Sequence, residues 1–247
     1  MKKHIIGIIP ARYKSSRLPG KPLVELCGKP MIIWVAELTA KAMGKENTYV
    51  ATEDQRIFDL VEKNGFKAVL TSDEHPTGTD RLAEVAEKIE ADIYINIQGD
   101  EPTLDPASIT RVIEAKLAMD HAVINAMAKI SAQEDPNSVN IPKVVFNENL
   151  QMLYMSRLPV PGFKSPENKP ADYYKQVCIY AFNRQQLTAY GKMKRKSRVE
   201  QSEDIEILRF FELGIPVQMI EVTANSYAVD VEADIPVVEK RLKEIHQ

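Results

Sequence analysis

Apolar positions along the chain come in short runs, separated by longer stretches in which they recur every three or four residues. HIIGII (4–9), NTYVAT (47–52), KAVLT (67–71) and DIYINIQ (92–98) are short runs; their length and β-branched content predict buried strands. Between them, PMIIWVAELTAKAM (30–43), DQRIFDLVEKNG (54–65), TDRLAEVAEKI (79–89) and PASITRVIEAKLAM (106–119) repeat apolar residues at i, i+3 and i+4, the stripe of an amphipathic helix. Gly44 and Gly65 follow two of these segments as C-caps would. Strand and helix alternate through residue 118, which predicts right-handed βαβ units in an α/β fold with a mostly parallel central sheet. Such sheets bind ligands outside the carboxyl ends of their strands. The loop opening at Pro10, the end of NIQGDEP and the start of TGTDR should therefore face one crevice.

After residue 120 the pattern turns β-rich, with AVINAMAKI (122–130), KVVFN (143–147), MLYMS (152–156) and YYKQVCIYAF (173–182). No Gly/Ser linker sets this region apart, so 121–202 reads as an insertion on one 1–247 domain. Residues 1–120 and 203–247 would supply the main sheet. Ser202, followed by Glu203 and Asp204, is expected to start a helix with acidic residues at its positive end. VQMIEV (217–222) is a last strand, and a final helix starts at Asp234.

Composition narrows the chemistry. The net charge is −3 despite 32 Lys and Arg, so a duplex-binding role is excluded and the cations must act locally. Cys27 and Cys178 form no CxxC pair and the four histidines share no ligand spacing, which argues against structural zinc. No run approaches the ~18 residues of a membrane span or a signal sequence, and the expected location is the cytoplasm, with no membrane partner.

The loop after the first strand, PARYKSSRLPGKPL, places Arg12, Lys14, Arg17 and Lys21 among Ser15, Ser16 and Gly20. Arginine forks and backbone N–H groups on such a loop suit a polyphosphate. The alternative is a solvated basic turn whose charges pair with nearby carboxylates. Neither GxGxxG nor GxxxxGK[ST] is present, which sets aside the dinucleotide and P-loop motifs. Asp100, at the end of a predicted strand, is either an oxygen ligand for a metal or the opening of an Asx turn before Pro102. Asp230, in YAVDVEAD, is a second candidate carboxylate, while Asp234 suits the cap of the last helix. Asp80 and Arg81 read equally as ligands or as a structural ion pair.

The order ARYxSSRLPGKPL, GKPM, GTDR and NIQGDEP, followed by LYMSR, IYAF and EQSEDIEILR, resembles the bacterial CMP-Kdo synthetases (3-deoxy-manno-octulosonate cytidylyltransferases) along nearly the whole chain. The resemblance implies a Rossmann-like nucleotidyltransferase fold, usually a homodimer. It implies transfer of CMP from CTP to the anomeric hydroxyl of an eight-carbon acid sugar, with pyrophosphate released and Mg²⁺ as cofactor, for lipopolysaccharide or capsule synthesis. It places the nucleotide at Pro10, Ala11, Arg12, Ser15, Ser16, Arg17, Lys21, Thr77, Gly78, Thr79, Gln98 and Gly99. Arg12, Lys21 and Asp100 would carry catalysis, and Asp100 and Asp230 would hold the metal. Thr79, at a helix start, should leave N–H groups free for the ligand.

The acid sugar should be recognised in the second half by Arg157, Lys175, Gln176 and Glu206, although Arg209 at i+3 from Glu206 suggests a surface pair instead. This half departs from the family pattern: Gln176 replaces His, Cys178 Gly, Phe182 Tyr and Ile207 Gln, and Asn140–Ile141–Pro142 resembles an insertion. Losing polar groups at a hydroxyl-binding site would change which sugar fits, leaving 8-amino-Kdo or a nonulosonate as alternative acceptors. Two further alternatives are a sugar-phosphate nucleotidyltransferase, for which KMKRKSR (192–198) would have to be more than a solvated loop, and a CTP sensor without turnover.

Overall fold

The computed structural model describes residues 3–15, 17–223 and 226–246. Its first strand, β1 (Ile5–Ala11), continues through Pro10 rather than stopping there. Pairing with the neighbour on one side ends at Ile8↔Asn96, while pairing on the other side runs on through Pro10↔Ala51. One flank of Pro10 is thus free of the ladder, the setting in which a strand tolerates a residue without an N–H. A hairpin the hydrophobic pattern had not suggested, β2 (Glu25–Leu26) and β3 (Lys29–Pro30), leads into α1 (Met31–Met43). Then follow β4 (Thr48–Thr52), α2 (Gln55–Lys63), β5 (Lys67–Leu70), α3 (Gly78–Lys88), β6 (Ile93–Ile97) and α4 (Pro106–Ala118), as the alternation predicted.

The second half contains β7 (Val123–Lys129), β8 (Lys143–Phe146), β9 (Met152–Ser156), β10 (Tyr174–Asn183), α5 (Arg184–Gly191), α6 (Arg198–Glu203), α7 (Leu208–Glu212), β11 (Val217–Glu221) and α8 (Ile235–Ile245). The helix expected from Ser202 begins one turn earlier, because Glu200 reaches back to accept from the Ser197 N–H at 2.8 Å, a bond that Ser202, with Ile205 three residues on, has no partner to match. Glu203 and Asp204 therefore sit at the end of α6, with Asp204 in the left-handed region (φ 51°).

The sheet order is β11-β7-β10-β6-β1-β4-β5, with β8 and β9 attached at the start of β10. Strands β5, β4, β1 and β6 are mutually parallel, whereas β10 runs antiparallel between β6 and β7. The beginning of β10 thus lies beside the carboxyl ends of β1 and β6. Alternation along each strand feeds two cores: Ile9, Ile95 and Ile97 pack under α1, α2 and α4, while Ile6, Ile8 and Tyr94 pack under α3, α5 and α7. A small third cluster, Leu26, Met31, Val229, Val238 and Leu242, ties α8 to the hairpin. No helix among the described residues is long and apolar enough to cross a membrane.

Candidate functional site

The parallel sheet places the ends of β1 and β6 side by side, so Arg12 and the Gln98–Gly99–Asp100 turn leave the same edge. Gly99 is required for that approach: a Cβ there would meet the Pro10 carbonyl oxygen at 2.9 Å. The basic loop then folds back, with the Gly20 N–H bonded to the Tyr13 carbonyl at 3.0 Å and Gly20 at φ 68°, a conformation glycine adopts without strain. This reversal carries Lys21 to the strand ends. From the far end of the chain, the Val229 N–H bonds the Asp100 carbonyl at 2.9 Å, and Asp234 accepts from the Asp230 and Val231 N–H groups at 2.7 and 2.9 Å. Asp234 stands at the start of the last helix but makes no side-chain cap bond to it; its carboxylate faces back instead and holds Asp230 against the site.

The result is a cluster of opposite charges. Lys21 Nζ lies 2.6 Å from Asp100 Oδ2 and 3.3 Å from Asp230 Oδ1, and Arg17 reaches that same Asp230 oxygen at 2.9 Å. The second sequence alternative for the loop is the one observed, since its cations pair with carboxylates, and those carboxylates are the two metal candidates. No group of three or more His, Cys, Asp or Glu is assembled for a metal among the described residues. Two carboxylates converging on a single cation nonetheless suit Mg²⁺, which takes few carboxylates and completes its shell with phosphate oxygens and water.

Around this cluster a cavity of about 310 Å³ is lined by Pro10, Ala11, Arg12, Ser15, Arg17, Lys21, Gly78, Gln98, Gly99 and Asp100. Ser16, assigned to the same site, lies outside the described residues. Lys14 also reaches this rim, but its side chain is exposed and only 3.5 Å from Asp73.

The start of α3 closes another side. Thr77 caps the helix by accepting from the Asp80 N–H at 3.1 Å. The Thr79 N–H, expected to be free for a ligand, is instead bonded to Glu206 Oε2 at 3.0 Å. Glu206 also takes a 3.3 Å bond from Gln98 Nε2, and burial pushes its carboxyl up from the usual range. Asp80 and Arg81 are not a pair. Arg81 meets Glu53 at 3.0 Å, while Asp80 is held by Arg209, which also grips Glu200 and is fully buried. The expected Glu206–Arg209 surface pair is therefore absent, because Arg209 turns inward to two other carboxylates. His75 bonds Glu84, away from this cavity.

A second cavity of about 510 Å³ joins both halves of the chain: Arg12, Arg17, Thr77, Gly78, Gln98, Asp100 and Asp230 on one side, Arg157, Gln176 and Glu206 on the other. Lys175 is not brought there. Neighbouring residues of a strand point to opposite faces, and Lys175 is engaged by Glu134 while Gln176 lines the cavity. Arg157 donates to the carbonyls of Glu203, Val139 and Asp204 at 2.5, 2.8 and 2.9 Å, so it braces the wall and caps the end of α6. Ile207 is fully buried in the core beneath α7 and does not line the cavity, so its apolar character is that of a packing residue. Cys178 and Tyr180 do line it, and burial raises both well above their ordinary values, leaving them neutral.

Residues the sequence did not assign to the site complete the wall. Asn140 and Pro142 come from the insertion-like segment, Lys196 from the stretch read as a solvated loop, and Glu200, Asp204 and Ile205 from α6 and its exit. Lys196 is ion-paired with Asp204. The insertion and the basic run KMKRKSR were the available signals; nothing local marks Glu200 or Ile205.

A family model described as cytidylyltransferase matches residues 6–220. The 3-deoxy-manno-octulosonate cytidylyltransferase of Trichlorobacter lovleyi is 40% identical over 97% of this chain and 99% of its own length. The Escherichia coli enzyme of the same name is 43% identical over 94% of this chain and 93% of its own. A solved structure of CMP:2-keto-3-deoxy-manno-octonic acid synthetase complexed with CTP superposes with a TM-score of 0.90 at 40% identity, over 98% of this chain and 99% of that one. A glucose-1-phosphate thymidylyltransferase from Bacillus anthracis, 16% identical, shares the fold with a TM-score of 0.68.

Proposed function

The chain belongs to the cytidylyltransferase family, among the 3-deoxy-manno-octulosonate cytidylyltransferases, and from that premise we propose that it transfers CMP from CTP to the anomeric hydroxyl of Kdo, releasing pyrophosphate. The observation that carries the reading is the convergence of Arg17, Lys21, Asp100 and Asp230 at the mouth of a cavity that both halves of the chain line. Arg12, Ser15, Arg17 and Lys21 hold the triphosphate, and Arg12 and Lys21 offset the charge that grows on the departing pyrophosphate. Asp100 and Asp230 would hold Mg²⁺, which would supply Lewis-acid polarisation of the phosphate and a lowered pKa for the attacking hydroxyl. Gln98, Gly99 and the start of α3 orient the nucleotide. Arg157, Gln176 and Glu206 orient the acid sugar for in-line attack, so positioning and electrostatics supply most of the rate.

The relatives favour neither a nonulosonate acceptor nor a sensor. The enzyme works in the cytoplasm, supplying an activated sugar for lipopolysaccharide or capsule synthesis. It assembles as a homodimer, a reading supported by exposed Leu153, Leu158 and Phe163 in the second half. Pyrophosphate release from CTP with a panel of 2-keto-3-deoxy acids, with Mg²⁺ or with excess chelator, tests the assignment. Release with Kdo that stops on chelation is expected; silence with Kdo alongside turnover of another acid would overturn the substrate, and chelator-insensitive release would overturn the metal.

A further inference from the structure

Strand β10 does not pair evenly with β7. Val177 lies opposite Ala126 but Tyr180 opposite Asn125, so the ladder skips Cys178 and Ile179. Such a bulge re-aims side chains and leaves backbone groups to be satisfied in another way. Here Asn125, itself 0% exposed, does this: its Nδ2 donates to the carbonyls of Val177 and Ile179 at 3.0 and 3.1 Å.

Those two carbonyls can only accept, so the amide of Asn125 has one possible orientation, with Oδ1 turned toward Gln176. Gln176 Nε2 donates to that oxygen at 3.1 Å. The choice propagates, because an oxygen at Asn125 requires nitrogen from Gln176. Gln176 Oε1 is then left as the acceptor on a side chain that lines the larger cavity.

We propose that Asn125 is a positioning residue for acceptor recognition: it holds the β10 bulge and orients Gln176 so that the Gln176 carbonyl oxygen takes a hydrogen bond from a hydroxyl of the acceptor sugar. This rests on the Kdo cytidylyltransferase reading above and adds a residue outside the cavity to it. A site that presents an acceptor at a fixed point discriminates for a hydroxyl there.

The test compares Asn125→Thr, which keeps one donor and suits a strand, with Gln176→Met and the double variant. Pyrophosphate release is measured against varied Kdo and varied CTP. Each single variant should raise the KM for Kdo roughly three- to ten-fold, the span of one neutral hydrogen bond, with the KM for CTP unchanged. The double variant should be no worse than the weaker single one, since both remove the same interaction. Unchanged KM for Kdo, a parallel rise in KM for CTP, or additive losses would overturn the proposal. If Asn125→Thr does not fold, Gln176→Met decides by its Kdo KM alone. A wild-type enzyme that ignores Kdo overturns the function and this inference together, whereas normal wild-type turnover with unaffected variants overturns this inference only.

Discussion

Replacing Arg209, buried behind the cavity wall to which its partner Glu200 belongs, with Met should cost several kcal/mol of stability. Arg209 Nη1 and Nη2 lie 2.6 and 3.1 Å from Asp80, and Nε and Nη2 lie 2.7 Å each from Glu200. All three side chains are 3% exposed or less, and the guanidinium stacks on Tyr190 at 3.7 Å. Removing the cation strands two carboxylates in the core, and breaking a buried charge pair from one side costs about 3–5 kcal/mol. For a chain of 247 residues, each kcal/mol moves the midpoint by roughly 2–4 °C, so a fall of about 6–20 °C is expected. Arg209→Lys should lie in between, because one ammonium cannot fork to both partners. The triple change Asp80→Asn, Glu200→Gln, Arg209→Met should recover much of the loss. Urea denaturation followed by circular dichroism measures all of these, and a loss below ~1 kcal/mol for Arg209→Met would refute the reasoning.

Asp100→Asn should lower kcat for pyrophosphate release by about two orders of magnitude or more. Because Asp100 is only partly buried, the urea midpoint should move by less than the equivalent of ~1 kcal/mol; near-normal turnover would sink the metal assignment. Gly99→Ala must push the Pro10 carbonyl away from 2.9 Å, and calorimetry should record a loss of about 1–3 kcal/mol together with a fall in kcat/KM for CTP. Glu84 predicts an acid limb of stability. Burial raises its carboxyl, but bonds from Lys88, His75 and the Ser72 N–H outweigh this and bring it down to about 2. A depressed carboxylate stabilises the fold fully above the unfolded value near 4.5 and loses that contribution as pH falls through 2. Glu84→Gln should therefore cost up to about 2–3 kcal/mol at pH 7 and flatten the difference from wild type as pH falls from 4.5 to 2; parallel pH curves for the two proteins would contradict it.

Much of the first half was legible because its signals are local. Apolar spacing marked β1, β4, β5 and β6, and a parallel sheet must open its ligand crevice at their carboxyl ends. What misled was chemistry decided at a distance. Ser202 looked like a cap until Glu200 proved to favour Ser197, and Arg209 looked like a surface partner of Glu206 until the fold brought Asp80 to it across 129 residues of chain. Lys175 and Gln176 are adjacent in sequence, yet strand alternation gives only one of them to the cavity.

By itself, then, the sequence determined the α/β alternation, the family, and the basic loop and Asp100 turn that leave the strand ends together. Each of these depends on periodicity or on a contiguous motif, which short-range physics can read. Only the tertiary structure decided that Asp230 meets Asp100 at Lys21, that Ile207 packs into the core, and that Lys196, Asn140 and Pro142 line the larger cavity. These pairings join segments far apart in the chain. They arise from burying two sheet faces at once and satisfying the charges trapped between them, and no local pattern records that outcome.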